Sequence, residues 1–201
     1  RQSRKTGTMN TKAEIQTMLA AYTARYPDER AAMEPFVRYV ASFDAPALYD
    51  RKNFVGHLTA GALIVSRQTG CVLLLKHKQL GKWLQPGGHV EASDASVLDA
   101  AFREAREETG ILRVSPLSRE IAGLDVLTVP GHVKRGKYVP THLHLSVSYL
   151  LSAPEDQPLA VKSDENSGVQ WIPISEIESY SSEPEMYPVY RKLVERMRKL
   201  P

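Results

Sequence analysis

Gly87-Gly88-His89-Val90-Glu91-Ala92-Ser93-Asp94, followed from Val97 by the run into Arg103-Glu104-Ala105-Arg106-Glu107-Glu108-Thr109-Gly110-Ile111, reads as a glycine loop opening a helix that closes on a glycine. Asp94 or Ser93 is placed to cap the helix start. Gly110 can take the left-handed conformation just past its end. Leu98, Ala101, Phe102 and Ala105 recur at helical spacing, so one stripe can face a core. Glu104, Glu107 and Glu108 stand at i, i+3 and i+4, and their carboxylates share a second stripe to the side of the apolar one. That arrangement is unfavourable on its own. Like charges at i, i+4 repel by a few tenths of a kcal/mol, and the negative end of the helix dipole lies where they gather. A hard divalent cation such as Mg²⁺ or Mn²⁺ resolves the conflict, because it takes oxygen ligands and bridges to phosphate oxygens. The bland alternative is a solvated acidic face. The glycine loop before the stripe and the lack of lysines along it favour the cation. Arg103, four residues before Glu107, can orient that carboxylate.

These residues closely resemble the Nudix box, written G-x5-E-x7-R-E-U-x-E-E-x-G-U with U a bulky aliphatic residue. Two positions depart from the pattern. The first acid is Asp94 in place of Glu, with eight residues before Arg103 in place of seven, and Ala105 is small for a U position. The extra residue falls at the loop-to-helix junction, where an insertion costs least. The order of elements extends the resemblance over roughly residues 55–180. It implies an α/β fold in which a mixed β-sheet is sandwiched between helices (α/β/α). It implies Mg²⁺, with Mn²⁺ able to substitute, held by Glu104, Glu107 and Glu108 with the Gly87 carbonyl as a further ligand. The implied reaction is hydrolysis of a diphosphate linkage in a nucleoside diphosphate derivative. A carboxylate takes the proton of the attacking water, either a box glutamate or Glu165, with Asp164 as the alternate; Arg103 orients. Trp83 and Pro86 match the residues that position the glycine loop in the family.

Outward from the box, the chain has 201 residues, 42% of them hydrophobic, enough for one globular domain with additions. A net charge of +3 fits an anionic small substrate, which the resemblance implies is a nucleotide, and is too weak to argue for nucleic acid. The single cysteine, Cys71, excludes an internal disulfide or a cysteine-built metal site, and its apolar surroundings suggest a core residue. No apolar run reaches membrane-spanning length and no signal peptide opens the sequence, so a cytoplasmic protein is the expectation.

Residues 1–8 read as a tail or a remnant of expression, 9–50 as an N-terminal helical extension, and 55–201 as the main domain. In the extension, Thr11-x-x-Glu14 is a capping box ahead of Ile15, Met18, Leu19 and Tyr22. A second helix uses Met33, Phe36, Val37 and Val40, with Pro35 kinking it or marking its first turn. This pair packs as a cap on the sheet, or serves as a homodimer contact or lid.

His57 to Val65 and Cys71 to His77 read as strands, the second central because Val72 to Leu75 is continuously apolar. Lys76, His77 and Lys82 around its end, with His89 in the glycine loop, are candidate substrate contacts. A strand over Ile121 to Val129 leads to a basic loop holding His132, Lys134 and Arg135. His142 to Tyr149 then alternates, with His142, His144, Ser146 and Ser148 on a polar face of a half-buried strand. Two histidines two apart can bind a transition metal, but no third such ligand lies nearby in sequence, so His142 and His144 are read as hydrogen bonding to substrate or as merely exposed, with Arg135 of the basic loop a further candidate substrate contact. Val169 to Pro173 is a short strand, and Ser175-x-x-Glu178 a second capping box. The C-terminal helix turns Tyr190, Leu193, Val194 and Met197 inward.

Three other classes are compatible with the fold: a non-catalytic ligand-binding regulator, an isopentenyl diphosphate isomerase, and a hydrolase of nucleoside triphosphates or capped RNA. A regulator has no need of the intact glutamates. The isomerase needs a catalytic thiolate, which an apolar strand around Cys71 disfavours. The modest charge argues against RNA.

Overall fold

The computed structural model describes residues 10–134 and 136–200, with the backbone alone for Lys134. The tail at 1–8 and Arg135 therefore lie outside the described residues. In chain order the elements are α1 (Lys12–Arg25), α2 (Arg30–Ser42), α3 (Ala45–Tyr49), β1 (Gly56–Ser66), β2 (Cys71–His77), β3 (Trp83–Leu84), β4 (Gly87–His89), α4 (Val97–Thr109), β5 (Ser115–Pro116), β6 (Gly123–Val129), β7 (His132–Lys134), β8 (Lys137–Val139), β9 (His142–Ser152), β10 (Asn166–Pro173), α5 (Ile177–Ser181) and α6 (Tyr187–Arg198). This is an α/β chain with a mixed sheet and an N-terminal helical extension. Leu143 donates to the Val55 carbonyl and Ala153 to the Val65 carbonyl, pairs with the same sequence offset, so β1 and β9 run parallel. β2 pairs antiparallel with both β1 and β10.

Two compact units can be distinguished. The first holds the residues up to Thr59, His89–Ala100 and Leu124–Val147. The Thr11 box forms as read: the Thr11 hydroxyl accepts from the Glu14 N–H, and Glu14 accepts in return from the Thr11 N–H at 2.6 Å. Ile15, Leu19 and Tyr22 are buried on α1, and Met33, Phe36 and Val40 on α2. Val37 differs from the expectation and is 39% exposed, because it falls beside the arc of those buried positions and not within it. Pro35 sits inside α2, beyond its first turn. The Tyr22 hydroxyl donates to Glu29 at 2.6 Å and accepts from the Leu124 N–H at 3.3 Å, which ties α1 to the strand β6. Asn10 reaches across 87 residues of sequence, its side-chain oxygen accepting from the Val97 N–H at 3.0 Å. The basic loop folds into a small antiparallel hairpin, β7 with β8, turning at Gly136 where φ is +75°.

The second unit holds Ala60–Gly88, Ala101–Gly123 and the chain from Ser148. Its strands lie in the order β10-β2-β1-β9-β5, with β3 added to β2. β2 is internal to this sheet, and Val72, Leu73, Leu74 and Leu75 are all 2% exposed or less. Truncating one of these leucines to alanine costs about 2–5 kcal/mol, since the cavity left behind adds to the lost burial. Cys71, at the strand's first position, is only partly buried. Tyr190, Leu193 and Val194 of α6 complete this core. The second capping box does not form. Ile174–Glu176 is a 3₁₀ turn without a side-chain cap, and Glu178 instead pairs with Arg191 at 2.5 Å.

Candidate functional site

α4 starts later than the sequence suggests. Ser96 accepts from the Asp99 N–H at 3.1 Å and so takes the capping role assigned to Asp94 or Ser93. Asp94 is buried and closes its own loop, accepting from the Glu91 N–H at 2.7 Å. The helix ends as expected at Gly110, with φ +75°, and a Cβ there would lie 2.7 Å from the Ala160 nitrogen. Only glycine satisfies both conditions.

The stripe of glutamates is drawn further inside than its spacing predicts. Glu104 and Glu108 are 7% and 6% exposed, beside the buried Ala101 and Ala105, while the Glu107 side chain keeps 46% of its surface. Glu108 accepts from the Gly87 N–H at 2.9 Å. Glu104 fills the space over Gly88 so closely that a Cβ there would come within 2.4 Å of its Oε1. The glycine loop is thus a cradle shaped around a carboxylate. Arg103 lies 2.9 Å from Glu104 and 3.4 Å from Glu107, the orienting position its spacing suggested.

Burial decides the electrostatics. It pushes the Glu108 carboxyl up to about 7, helped by the charges of Glu104 and Glu165 and opposed by the Gly87 N–H and Asn166. Burial also raises Glu104, against the pull of Arg103. Two buried, mutually repelling carboxylates need positive charge, and all their donor atoms are oxygen. That set suits a hard divalent cation and does not suit a soft one. Asn166, fully buried, faces Glu108 with its side-chain amide and favours the ionised carboxylate, a contact that spacing alone did not reveal.

Glu165 comes to this end of the sheet through its loop, where the Lys78 N–H donates to its carbonyl at 2.9 Å. Its carboxylate pairs with Lys162 at 2.8 Å, and Lys162 also feels the charge of Glu104 and Glu108. Lys162 was not anticipated, because only folding of the loop brings it to the box. Among the candidate phosphate contacts, Lys76 is exposed at the end of β2. His77 accepts from the Leu80 N–H at 3.3 Å, shaping the turn before the box. Lys82 is held by Glu183 at 2.9 Å. Trp83 packs within 3.2 Å of the position a Cβ on Gly168 would take.

The histidines go elsewhere. His142 and His144 do not lie on a solvated face, since His142, Ser146 and Ser148 are buried, His144 is half-buried, and β9 is covered on both sides from Leu145 to Leu151. The third imidazole missing from the local sequence comes from β1. His57, 1% exposed, stacks on His142 with ring centres 5.1 Å apart and lies equally close to His144. His89 joins them, its Nε2 2.9 Å from that of His57.

Comparison with known proteins agrees with the box. A stretch of 69 residues is 42% identical to m7GpppN-mRNA hydrolase NUDT17 of Xenopus laevis, covering 34% of this chain and 22% of that protein. The chain therefore matches about a fifth of that relative's length. Uncharacterized Nudix hydrolase YvcI of Bacillus subtilis (strain 168) is 28% identical over 127 residues, 60% of this chain and 73% of that one. Among solved structures, the MutT protein from Methanosarcina mazei Go1 gives a TM-score of 0.51 at 21% identity, over 72% of this chain and 96% of the other, a likeness of fold. A family model described as NUDIX domain matches residues 55–197, well over half of the sequence and the whole of the glycine loop, helix and closing glycine. The chain belongs to the NUDIX domain family.

Proposed function

We propose that this chain is a divalent-metal-dependent hydrolase of a phosphoanhydride bond in a nucleoside diphosphate derivative. The observation that carries this reading is the pair of buried carboxylates, Glu104 and Glu108, under a glycine loop shaped to one of them. A purely structural helix gains nothing by burying two acids with like charge, and a solvated acidic face would leave both outside. Glu104, Glu107 and Glu108, with the Gly87 carbonyl, are the residues that would hold Mg²⁺ or, in substitution, Mn²⁺. A divalent ion there supplies charge neutralisation on the diphosphate oxygens and acidifies a water for attack on phosphorus.

The chain's own groups do the rest. Arg103 fixes the directions of Glu104 and Glu107. Glu108 holds the glycine loop through the Gly87 N–H. Glu165 or a box glutamate accepts the proton of the attacking water, and Lys162, 2.8 Å from the Glu165 carboxylate, holds that group in place. Lys76 and His77, at the end of β2, are the proposed contacts to the anionic substrate beyond the metal-bound oxygens. The relatives named above carry hydrolase names, which supports the reaction class and leaves the substrate to experiment. The test is a panel of nucleoside diphosphate derivatives, nucleoside triphosphates and capped dinucleotides with Mg²⁺ or Mn²⁺. Product identity in isotopically labelled water then shows which phosphorus is attacked. Metal-dependent turnover lost in Glu107→Gln supports the reading; turnover indifferent to chelation and to that change overturns it.

A further inference from the structure

The cluster of histidines is not accounted for by phosphoanhydride chemistry. His57 from β1, and His142 and His144 from β9, each present one ring nitrogen, and these three atoms lie within 4.8 Å of one another. Among the described residues no other group of three histidine, cysteine or acidic side chains meets that condition, the box glutamates included. His57 and His142 are 1% and 8% exposed, and the rings stand 5.1–5.2 Å apart in all three pairs. His89, with its ring centre 4.7 Å from His57 and 5.4 Å from His144, closes another side.

Hydrogen bonding prepares these rings as ligands. The Nδ1 of His142 faces the Pro140 carbonyl at 2.9 Å, so that nitrogen carries the proton and Nε2 keeps its lone pair. Metal-bound histidines are typically oriented in this way, by a backbone carbonyl on the second nitrogen. Burial favours the neutral, ligating form of His144 and His57. It pushes His144 down to about 3, with His57, His142 and His132 adding to the effect. His57 is lowered too, burial and His142 outweighing the Asn53 backbone and Asp50. A largely buried group of imidazoles is a poor way to fill a core, because each ring carries two polar nitrogens to satisfy, and the His57 Nδ1 finds no well-formed hydrogen bond.

We infer that His57, His142 and His144 form a binding site for a first-row transition ion of the Zn²⁺ type, with His89 at the fourth position. All-imidazole ligands suit Zn²⁺, Co²⁺, Ni²⁺ and Cu²⁺ and reject Mg²⁺, which takes oxygen. Zinc–nitrogen bonds of about 2.0–2.1 Å set tetrahedral ligand atoms about 3.3–3.4 Å apart, inside the 4.8 Å that bounds the three nitrogens and a little beyond the 2.9 Å between His57 and His89, so small ring rotations seat the ion. The ion would tie β1 to β9, strands that meet only through folding. It is a different metal on different donors from the one proposed for the glutamates.

The experiment uses the full chain stripped of metal. Titration with Zn²⁺ in millimolar Mg²⁺ should show binding of one ion per chain, a raised thermal midpoint, and at least about tenfold weaker affinity in His142→Ala and in His144→Gln, since loss of a ligating or orienting group costs that much or more. Glu107→Gln should bind Zn²⁺ as the parent does. Should the histidine variants fail to fold, Co²⁺ added to the unaltered chain decides. A four-coordinate nitrogen site gives intense visible absorption, and an octahedral oxygen site gives only weak bands. Absence of Zn²⁺ binding, affinity unchanged by the histidine variants, or weak octahedral Co²⁺ bands would overturn the assignment.

Discussion

Replacing Glu108 by glutamine should make the metal-free protein more stable at pH 8 while removing its activity. The argument rests on burial: Glu108 is 6% exposed, and its carboxyl titrates at about 7 in the fold against 4.5 as a free side chain. The folded chain therefore holds this proton to higher pH than the unfolded chain does. The sign follows: stability is fully present below about pH 4.5 and falls as pH rises to about 7. At about 1.4 kcal/mol for each tenfold change in acidity, an ionised Glu108 costs the metal-free fold about 3 kcal/mol at pH 8. Glutamine has nearly the same shape, keeps an oxygen to accept from the Gly87 N–H, and carries no charge at any pH. Glu108→Gln should thus match the parent at pH 4.5 and exceed it by about 3 kcal/mol at pH 8, or roughly 6–12 °C in melting midpoint for a chain of this size. Denaturant unfolding in chelator at the two pH values measures it. Millimolar Mg²⁺ should then stabilise the parent at pH 8 and leave the variant nearly unmoved. A difference between the two proteins that is the same at both pH values, or a variant that is the weaker at pH 8, would show that this carboxylate is not penalised by burial.

Four further outcomes are expected. Glu107→Gln should lower kcat by at least ~10²-fold with an unmoved melting midpoint, since its side chain is 46% exposed and its value lies in charge; near-normal turnover refutes the role. Glu165→Gln should reduce kcat more than about tenfold and flatten the acidic limb of the pH–rate profile, if it is the base; an unchanged limb moves the role to a box glutamate. Gly88→Ala should displace the Glu104 carboxylate, whose Oε1 would stand 2.4 Å from the new Cβ, and weaken Mg²⁺ binding by calorimetry; unaltered binding means the cradle is not needed. Gly110→Ala should cost about 1–3 kcal/mol in denaturant unfolding, from a strained positive φ and the Ala160 backbone; a cost under about 0.5 kcal/mol contradicts this.

What could be read from the residues was what local spacing controls. Helix α4, its terminal glycine, the internal strand β2 and the Thr11 box all rest on patterns within a dozen residues, and the fold kept them. Errors arose where a local pattern had a competing partner. Asp94 looked like a cap, but its oxygen finds a nearer donor in the Glu91 N–H, and α4 begins three residues later. Ser175 and Glu178 had capping-box spacing, yet Glu178 forms an ion pair with Arg191 instead. Alternation made β9 look half solvated, whereas neighbouring elements cover both of its faces from Leu145 to Leu151. The histidine cluster was invisible for the same reason. His57 and His142 are far apart in sequence, and only strand pairing brings them together. Glu104 and Glu108 were identified by spacing, but their burial, which sets their chemistry, depends on the glycine loop and on Asn166.

The bond from the Val97 N–H to the Asn10 side chain bears on where this protein can be cut. A reagent designer would trim to the family boundary at residue 55, treating the helices before it as dispensable. That excision would leave the first turn of the glutamate-bearing helix without one of its hydrogen-bond acceptors and uncover the core positions filled by Tyr22, Phe36 and Val40. The minimal unit for crystallisation, display or domain grafting therefore begins no later than Asn10, some 45 residues ahead of the stretch by which the family is recognised.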